Sequence, residues 1–296
     1  MGHLSENTRG AILMMLAMAA FSINDAILKA LVSHINLYQV IFLRGCLTLI
    51  LIFTVLTRIT GPVSFKMPPK DAILIGIRSL SEVGASIGIV TALSLMPFAN
   101  VNAVLQSAPL LITLCAALAF KQPIGWRRLA AISIGFCGVL LIARPGPEGF
   151  SDGILWGFLG VICVTIRDLS VRAMSRAVPK TTVTFGATFM TTVVMGILML
   201  GSEWQPLLVS DIIWLVINAC VITAAFALAV IVMQTGEISF VAPYRYTALV
   251  WAILIGFFVF GEWPDLWTFV GAGIIVATGI YTLVRESRLR RRSLVS

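Results

Sequence analysis

Apolar residues run along this chain in long blocks of about twenty, each closed by Pro, Gly or charge. At a rise of 1.5 Å per residue, about 20 such residues cross the hydrocarbon core of a bilayer as a helix. Blocks at 10–31, 38–58, 71–95, 99–120, 126–144, 152–173, 182–202, 211–234, 238–260 and 265–284 predict ten transmembrane helices. Connections such as Met96-Pro97-Phe98 and Thr235-Gly236-Glu237 are so short that neighbours must be antiparallel and no soluble domain fits between them. The first block, from Gly10, is long enough to span and carries no cleavage site, so it is expected to stay as the first helix.

Composition puts the chain in the same class. Hydrophobic residues make up 59% of the 296 and charged ones 11%, with a mean hydropathy of +1.00. A soluble domain cannot hide that much apolar surface, so the chain reads as a polytopic all-α membrane protein. Its net charge of +8 would suit nucleic acid, but the basic residues cluster at span ends and a bilayer accounts for them. With both termini cytoplasmic, that side collects Arg9, Arg58, Lys66, Lys70, Lys121, Arg127, Arg128, Arg172, Arg176, Lys180 and the tail Arg285 to Arg292, against Lys29 and Arg144 outside. That bias follows the positive-inside rule and places the protein in a bacterial inner (plasma) membrane with its tail at the lipid headgroups. Cys46, Cys115, Cys137, Cys163 and Cys220 sit within apolar blocks without metal or disulfide spacing, so no metal, cofactor or disulfide is expected.

The chain also repeats itself. Ser22, Asn24, Asp25 and Lys29 recur 143 residues later as Thr165, Arg167, Asp168 and Arg172, and Asp71 opens the third span as Asp211 opens the eighth. Residues 1–145 and 146–296 therefore read as two five-span repeats, the second ending in the basic tail. An odd number of spans per copy inserts the copies in opposite orientation, the organisation of secondary carriers whose site lies between the halves. The copies differ in charge: Gln106 aligns with Arg245, and Arg44 with Ala187.

An ionisable group in hydrocarbon costs about 2.5 to 3.5 kcal/mol unless it pairs or lines a wet cavity. Arg44, Arg78, Glu82, Arg167, Asp168 and Arg245 lie inside spans, and Asp25 near the outer end of the first. Asp25 with Lys29, and Asp168 with Arg172, have the favourable i,i+4 order of a helical ion pair or a gate. Asp25 and Arg44 each fall about 9 Å deep and are expected to pair between helices. Asp168 is the expected partner of Arg245. Arg78 and Glu82 share one face, and Glu82 near the midplane is a candidate to carry a coupling proton. Asn24, Arg78, Glu82, Asn102, Gln106, Tyr244, Arg245, Tyr246 and Trp251 form the candidate substrate site, with Asp25, Arg44, Arg167 and Asp168 as gating or ion-pair residues. Asn100, Asn102, Gln106 and Ser107 serve equally well as glue between helices.

Ten spans as two inverted repeats, with Val241-Ala242-Pro243-Tyr244-Arg245-Tyr246-Thr247 leading into Phe260-Gly261-Glu262, resemble the EamA family of the drug/metabolite transporter superfamily. The first half departs from that pattern, with Lys121-Gln122 where the second has Gly261-Glu262. Within the family, the Pro-Tyr-Arg-Tyr segment and the Arg167, Asp168, Arg172 set resemble the branch of riboflavin and S-adenosylmethionine carriers. The resemblance implies a secondary active transporter, monomeric or homodimeric, moving a small polar organic metabolite by alternating access. Riboflavin is the favoured substrate and an amino acid or other metabolite or drug the alternative. No nucleophile–base set points to an enzyme, and a channel would be expected to repeat its charges in rings.

Overall fold

The computed structural model describes residues 6–119, 126–144, 151–175, 177–232 and 238–293. Lys121, Gln122, Glu148, Arg176 and the 235–237 connection lie outside them. The helices are α1 (Glu6–Val32), α2 (37–60), α3 (Pro69–Leu95), α4 (98–119), α5 (Trp126–Ala143), α6 (Asp152–Ala173), α7 (Lys180–Met199), α8 (Val209–Val232), α9 (238–260) and α10 (Leu266–Ser293). Among the described residues nine are long and apolar enough to cross a membrane. The exception is α5, whose apolar part, Leu129–Ala143, is shortened by Arg127 and Arg128.

Three helices are irregular, two of them at a proline. A π-helical turn at Ile52–Leu56 interrupts α2. Between Leu105 and Ala108 α4 breaks, because Pro109 has no N–H for the Leu105 carbonyl. A 3₁₀ stretch, Ala242–Tyr246, interrupts α9 around Pro243, after the first α-helical turn Ile238–Val241.

Eight helices close into a ring. Neighbour by neighbour it runs α1, α8, α2, α7, α3, α6, α4, α9 and back to α1, while α5 and α10 pair outside it beside α4 and α9. Ring neighbours therefore always come from opposite halves of the chain, and each half gains its packing from the other. The ring maps onto itself when each helix is exchanged for the one five places on, as an inverted repeat requires. Two joins rest on glycine: a Cβ on Gly88 of α3 would stand 2.8 Å from the Trp156 carbonyl oxygen of α6, and one on Gly138 of α5 2.7 Å from the Gly271 oxygen of α10.

We call the end where α1 begins and α10 finishes proximal, and the other distal. Much of the core lies toward the distal end. Ile27, Leu31, Val40, Ile41, Val90, Met195 and Leu215 form one cluster joining α1, α2, α3, α7 and α8. Ala26, Ala92, Leu93, Phe98, Val101 and Ala252 join α1, α3, α4 and α9. Side chains thus close the ring at that end.

Candidate functional site

On α3 the faces are unambiguous. Ile73, Ile77 and Leu80 are exposed and mark the lipid side. Ala85 packs with Val161 and Val164 of α6, and Val83 with Met195 of α7. Arg78 and Glu82, a turn apart, fall between those two packed faces and opposite the lipid stripe, so they project into the ring. Their side chains keep 12% and 21% of their exposure there.

Glu82 sits between two guanidiniums. Its Oε2 lies 3.8 Å from Arg78 Nη2 and 3.6 Å from Arg167 Nη1. Arg78 Nη1 donates to the Val183 carbonyl of α7 at 3.2 Å, while its Nε is buried without a partner among the described residues. Arg167 Nε donates to Asp168 Oδ1 at 2.9 Å. Toward the distal end, Arg44 Nη1 donates to Asn24 Oδ1 at 3.4 Å and Asn24 Nδ2 to Asp25 Oδ1 at 2.9 Å. Asn218 of α8, fully buried, donates to the Asn24 carbonyl at 2.9 Å. The guanidiniums Arg44, Arg78 and Arg167 and the carboxylates Asp25, Glu82 and Asp168 balance, the condition for keeping charge away from lipid.

Three expected pairings come out differently. Lys29 does not pair with Asp25: its Nζ donates to Glu262 Oε1 at 2.7 Å and to the Met96 carbonyl at 2.8 Å, 5.1 Å from the Phe260 ring centre. Asp25 reaches Arg44 through Asn24 rather than directly. Asp168 is taken by its neighbour Arg167, and the exposed Arg245 has no carboxylate partner among the described residues. For Lys29 a tertiary neighbour outcompeted the carboxylate on its own helix, whereas Asp168 and Asp25 each hold the residue next to them in sequence.

The remaining candidates lie on α4 and α9. Gln106 Nε2 donates to the Arg245 carbonyl at 3.2 Å, so the two irregular stretches touch at positions that the repeat relates to each other. Asn102 turns back to the Phe98 carbonyl of its own helix at 3.0 Å. Tyr246 is buried with its ring against Gly279 of α10, and Tyr244 packs on Phe240. The Trp251 indole N–H is buried without a partner among the described residues.

Sequence reasoning singled out the Gly261-Glu262 step without foreseeing its geometry. Gly261 ends α9 at φ +65°, a left-handed cap that glycine adopts freely. The turn delivers Glu262 to Lys29 and to the Phe98 N–H, 2.6 Å away at the start of α4, so one carboxylate ties α1, α4 and α9 at the distal end. Other clasps went unnoticed. Gln39 and Gln205 bond reciprocally at 2.8 and 2.9 Å distally, and Ser64 and Thr182 at 2.9 and 3.1 Å proximally. Thr182 stands 143 residues after Gln39. Likewise Asp211 accepts from His34 across α8 and α1 at 3.1 Å, and Asp71 from the Ser175 N–H across α3 and α6 at 3.1 Å.

Comparison with known proteins gives this arrangement its context. A family model described as "EamA-like transporter family" matches residues 8–144 and again 151–285, one match per half. An S-adenosylmethionine uptake transporter of Rickettsia conorii is 24% identical over 94% of this chain and 93% of its own, and that of Rickettsia prowazekii 22% over 93% and 92%. A riboflavin transporter of Vibrio cholerae is 27% identical over 64% of each chain. One crystal structure shares the fold, with a TM-score of 0.57 at 21% identity over 96% of this chain and 99% of that one. With both halves matched by the same model, the chain belongs to the EamA-like transporter family and is a multi-pass membrane transporter.

Proposed function

We propose that this protein is a secondary active carrier of the bacterial inner membrane that moves a small, charged organic metabolite by alternating access. The observation that carries the reading is a ring of eight helices from two inverted repeats, with balanced charges in its interior and apolar packing at its distal end. If the proximal end faces the cytoplasm, as the basic residues there favour, this form is shut toward the outside. Transport then requires opening the seam where Lys29 and Glu262 hold α1 to α9, while the α4–α6 seam, related to it by the repeat, closes. A coupling proton is tested by the dependence of uptake on an imposed pH gradient.

The interior favours a charged substrate such as S-adenosylmethionine, because the polar groups gathered there are guanidiniums and carboxylates. Riboflavin is the second reading, favoured by the indole N–H of Trp251, which has no partner among the described residues, although Tyr244 and Tyr246 are engaged elsewhere and less suited to sandwich a flat ring. Purified protein in liposomes, assayed with labelled S-adenosylmethionine and labelled riboflavin, tests both. A carrier saturates and shows counterflow for one of them; flux that rises linearly with concentration and lacks counterflow indicates a channel instead.

A further inference from the structure

Glu82 is held in an unusual way for a carboxylate deep in a membrane protein. One oxygen, Oε2, lies between Arg78 and Arg167 at 3.8 and 3.6 Å, both beyond the 2.7 to 3.2 Å usual for an N–H···O bond. A carboxylate serving only to neutralise a guanidinium would gain more from one short bidentate contact. The buried Nε of Arg78 meanwhile has no partner among the described residues. Two guanidiniums thus flank a loosely held anion.

The repeat shows which of these groups the fold itself needs. Arg167 corresponds to Asn24, 143 residues earlier; Arg78 and Glu82 correspond to Asn218 and Ile222, 140 residues later, the offset that relates Asp71 to Asp211. In that other copy of the joint, Asn218 simply hydrogen-bonds the Asn24 backbone, with no carboxylate at the position of Glu82. That contact between helices needs only an amide on α8 and a backbone carbonyl on α1, and the guanidinium of that copy, Arg44, reaches Asn24 from α2. The two arginines and Glu82 are an addition to one copy, and a molecule that must read an asymmetric ligand inside a symmetric frame has to break the symmetry in this way.

We propose that Glu82 holds, in the substrate-free carrier, the place that a carboxylate of the transported metabolite takes between Arg78 and Arg167, so that binding exchanges one carboxylate for another. Displaced Glu82 then needs a cation, because the cluster is already balanced without the substrate. A metabolite with an ammonium group close to its carboxylate supplies both charges: its carboxylate meets the arginines and its ammonium meets Glu82. The substrate class is therefore a carboxylate-bearing zwitterion. This rests on the carrier reading above and narrows it.

The test is competition and kinetics in proteoliposomes with labelled S-adenosylmethionine, its decarboxylated form and riboflavin. With the wild-type protein, the decarboxylated form should compete at least about tenfold more weakly than S-adenosylmethionine, the loss expected for one charge-assisted contact. E82Q removes the internal competitor and with it the ammonium's partner, so an S-adenosylmethionine analogue lacking the α-amino group, which should compete at least about tenfold more weakly than S-adenosylmethionine with the wild type, should compete about equally with E82Q, while the maximal rate falls because nothing displaces the bound carboxylate. A merely structural role for Glu82 would not erase that discrimination. Equal competition by the decarboxylated form, saturable riboflavin flux that S-adenosylmethionine does not inhibit, or discrimination against the des-amino analogue that is the same in E82Q as in the wild type overturns the exchange and leaves the carrier standing. No saturable flux of any of the three overturns both. Should E82Q fail to fold, the wild-type competition decides alone.

Discussion

Glu262 does two jobs with one carboxylate: it neutralises Lys29 and it caps the first turn of α4 through the Phe98 N–H. Glu262→Gln keeps an oxygen for the cap and loses the charge, whereas Glu262→Ala loses both. With side chains 13% and 27% exposed, a double-mutant cycle of K29M and E262Q, read by thermal unfolding in detergent, should give a coupling of about 1 kcal/mol. E262A should cost about 1 kcal/mol more than E262Q through the lost cap. Asp265, just before α10, offers a pH test. Its burial acts to raise the carboxyl, but the Thr268 N–H and the Arg144 guanidinium outweigh that and hold it below the usual carboxylate range. The contribution is thus present at neutral pH and fades as pH falls through and below that range, so the unfolding temperature of D265N should show a shallower acid decline than wild type.

Glycine at an element's contact face and glycine on its lipid face have opposite meanings, and α3 carries both. A Cβ at position 88 would collide with backbone of α6, which can yield only by parting the two helices. Gly88→Ala should therefore destabilise by about 1 to 3 kcal/mol and broaden the size-exclusion profile. Three turns earlier, a Cβ on Gly76 meets nothing within 4 Å. There Gly76→Ala should be neutral or stabilise by up to about 1 kcal/mol, the helix-propensity difference alone. The span limits of α3 were legible because Pro69 and Pro97 bracket an apolar block with Lys70 and Asp71 only at its start and Arg78 and Glu82 inside it, but which of its faces met α6 was not. Its packed and lipid-facing positions are both apolar, and in a bilayer hydrophobicity does not tell them apart.

At the scale of the whole molecule, the alternation of halves around the ring means that neither half packs much against itself. In the carrier we propose, alternating access would be a change at two seams, α1–α9 and α4–α6, rather than the rocking of two self-contained five-helix blocks. Insertion geometry gives a direct check: protease tags at the two ends of the chain should be cut from the same side of sealed vesicles, the cytoplasmic one. Cutting from opposite sides would be incompatible with ten crossings. The balanced cluster also predicts that removing one member costs more than removing a pair. R167Q, which leaves Asp168 and Glu82 with one guanidinium fewer, should abolish most flux, and R167Q/D168N should recover stability by about 1 to 3 kcal/mol over R167Q.

Ten crossings, the duplication and the identity of the charged residues were decided by the sequence alone, because bilayer thickness sets the length of every apolar block and the repeat preserves the spacing of Asp25 and Lys29 in Asp168 and Arg172. Partners were decided only by the tertiary structure. Lys29 turned from Asp25, one turn back on its own helix, to Glu262 in the turn after α9, more than two hundred residues away, and Asp168 took Arg167 instead of Arg245. A charge in low dielectric goes to whichever counter-charge the packed backbones bring within reach, and that distance is a property of the ring, not of any one of its helices.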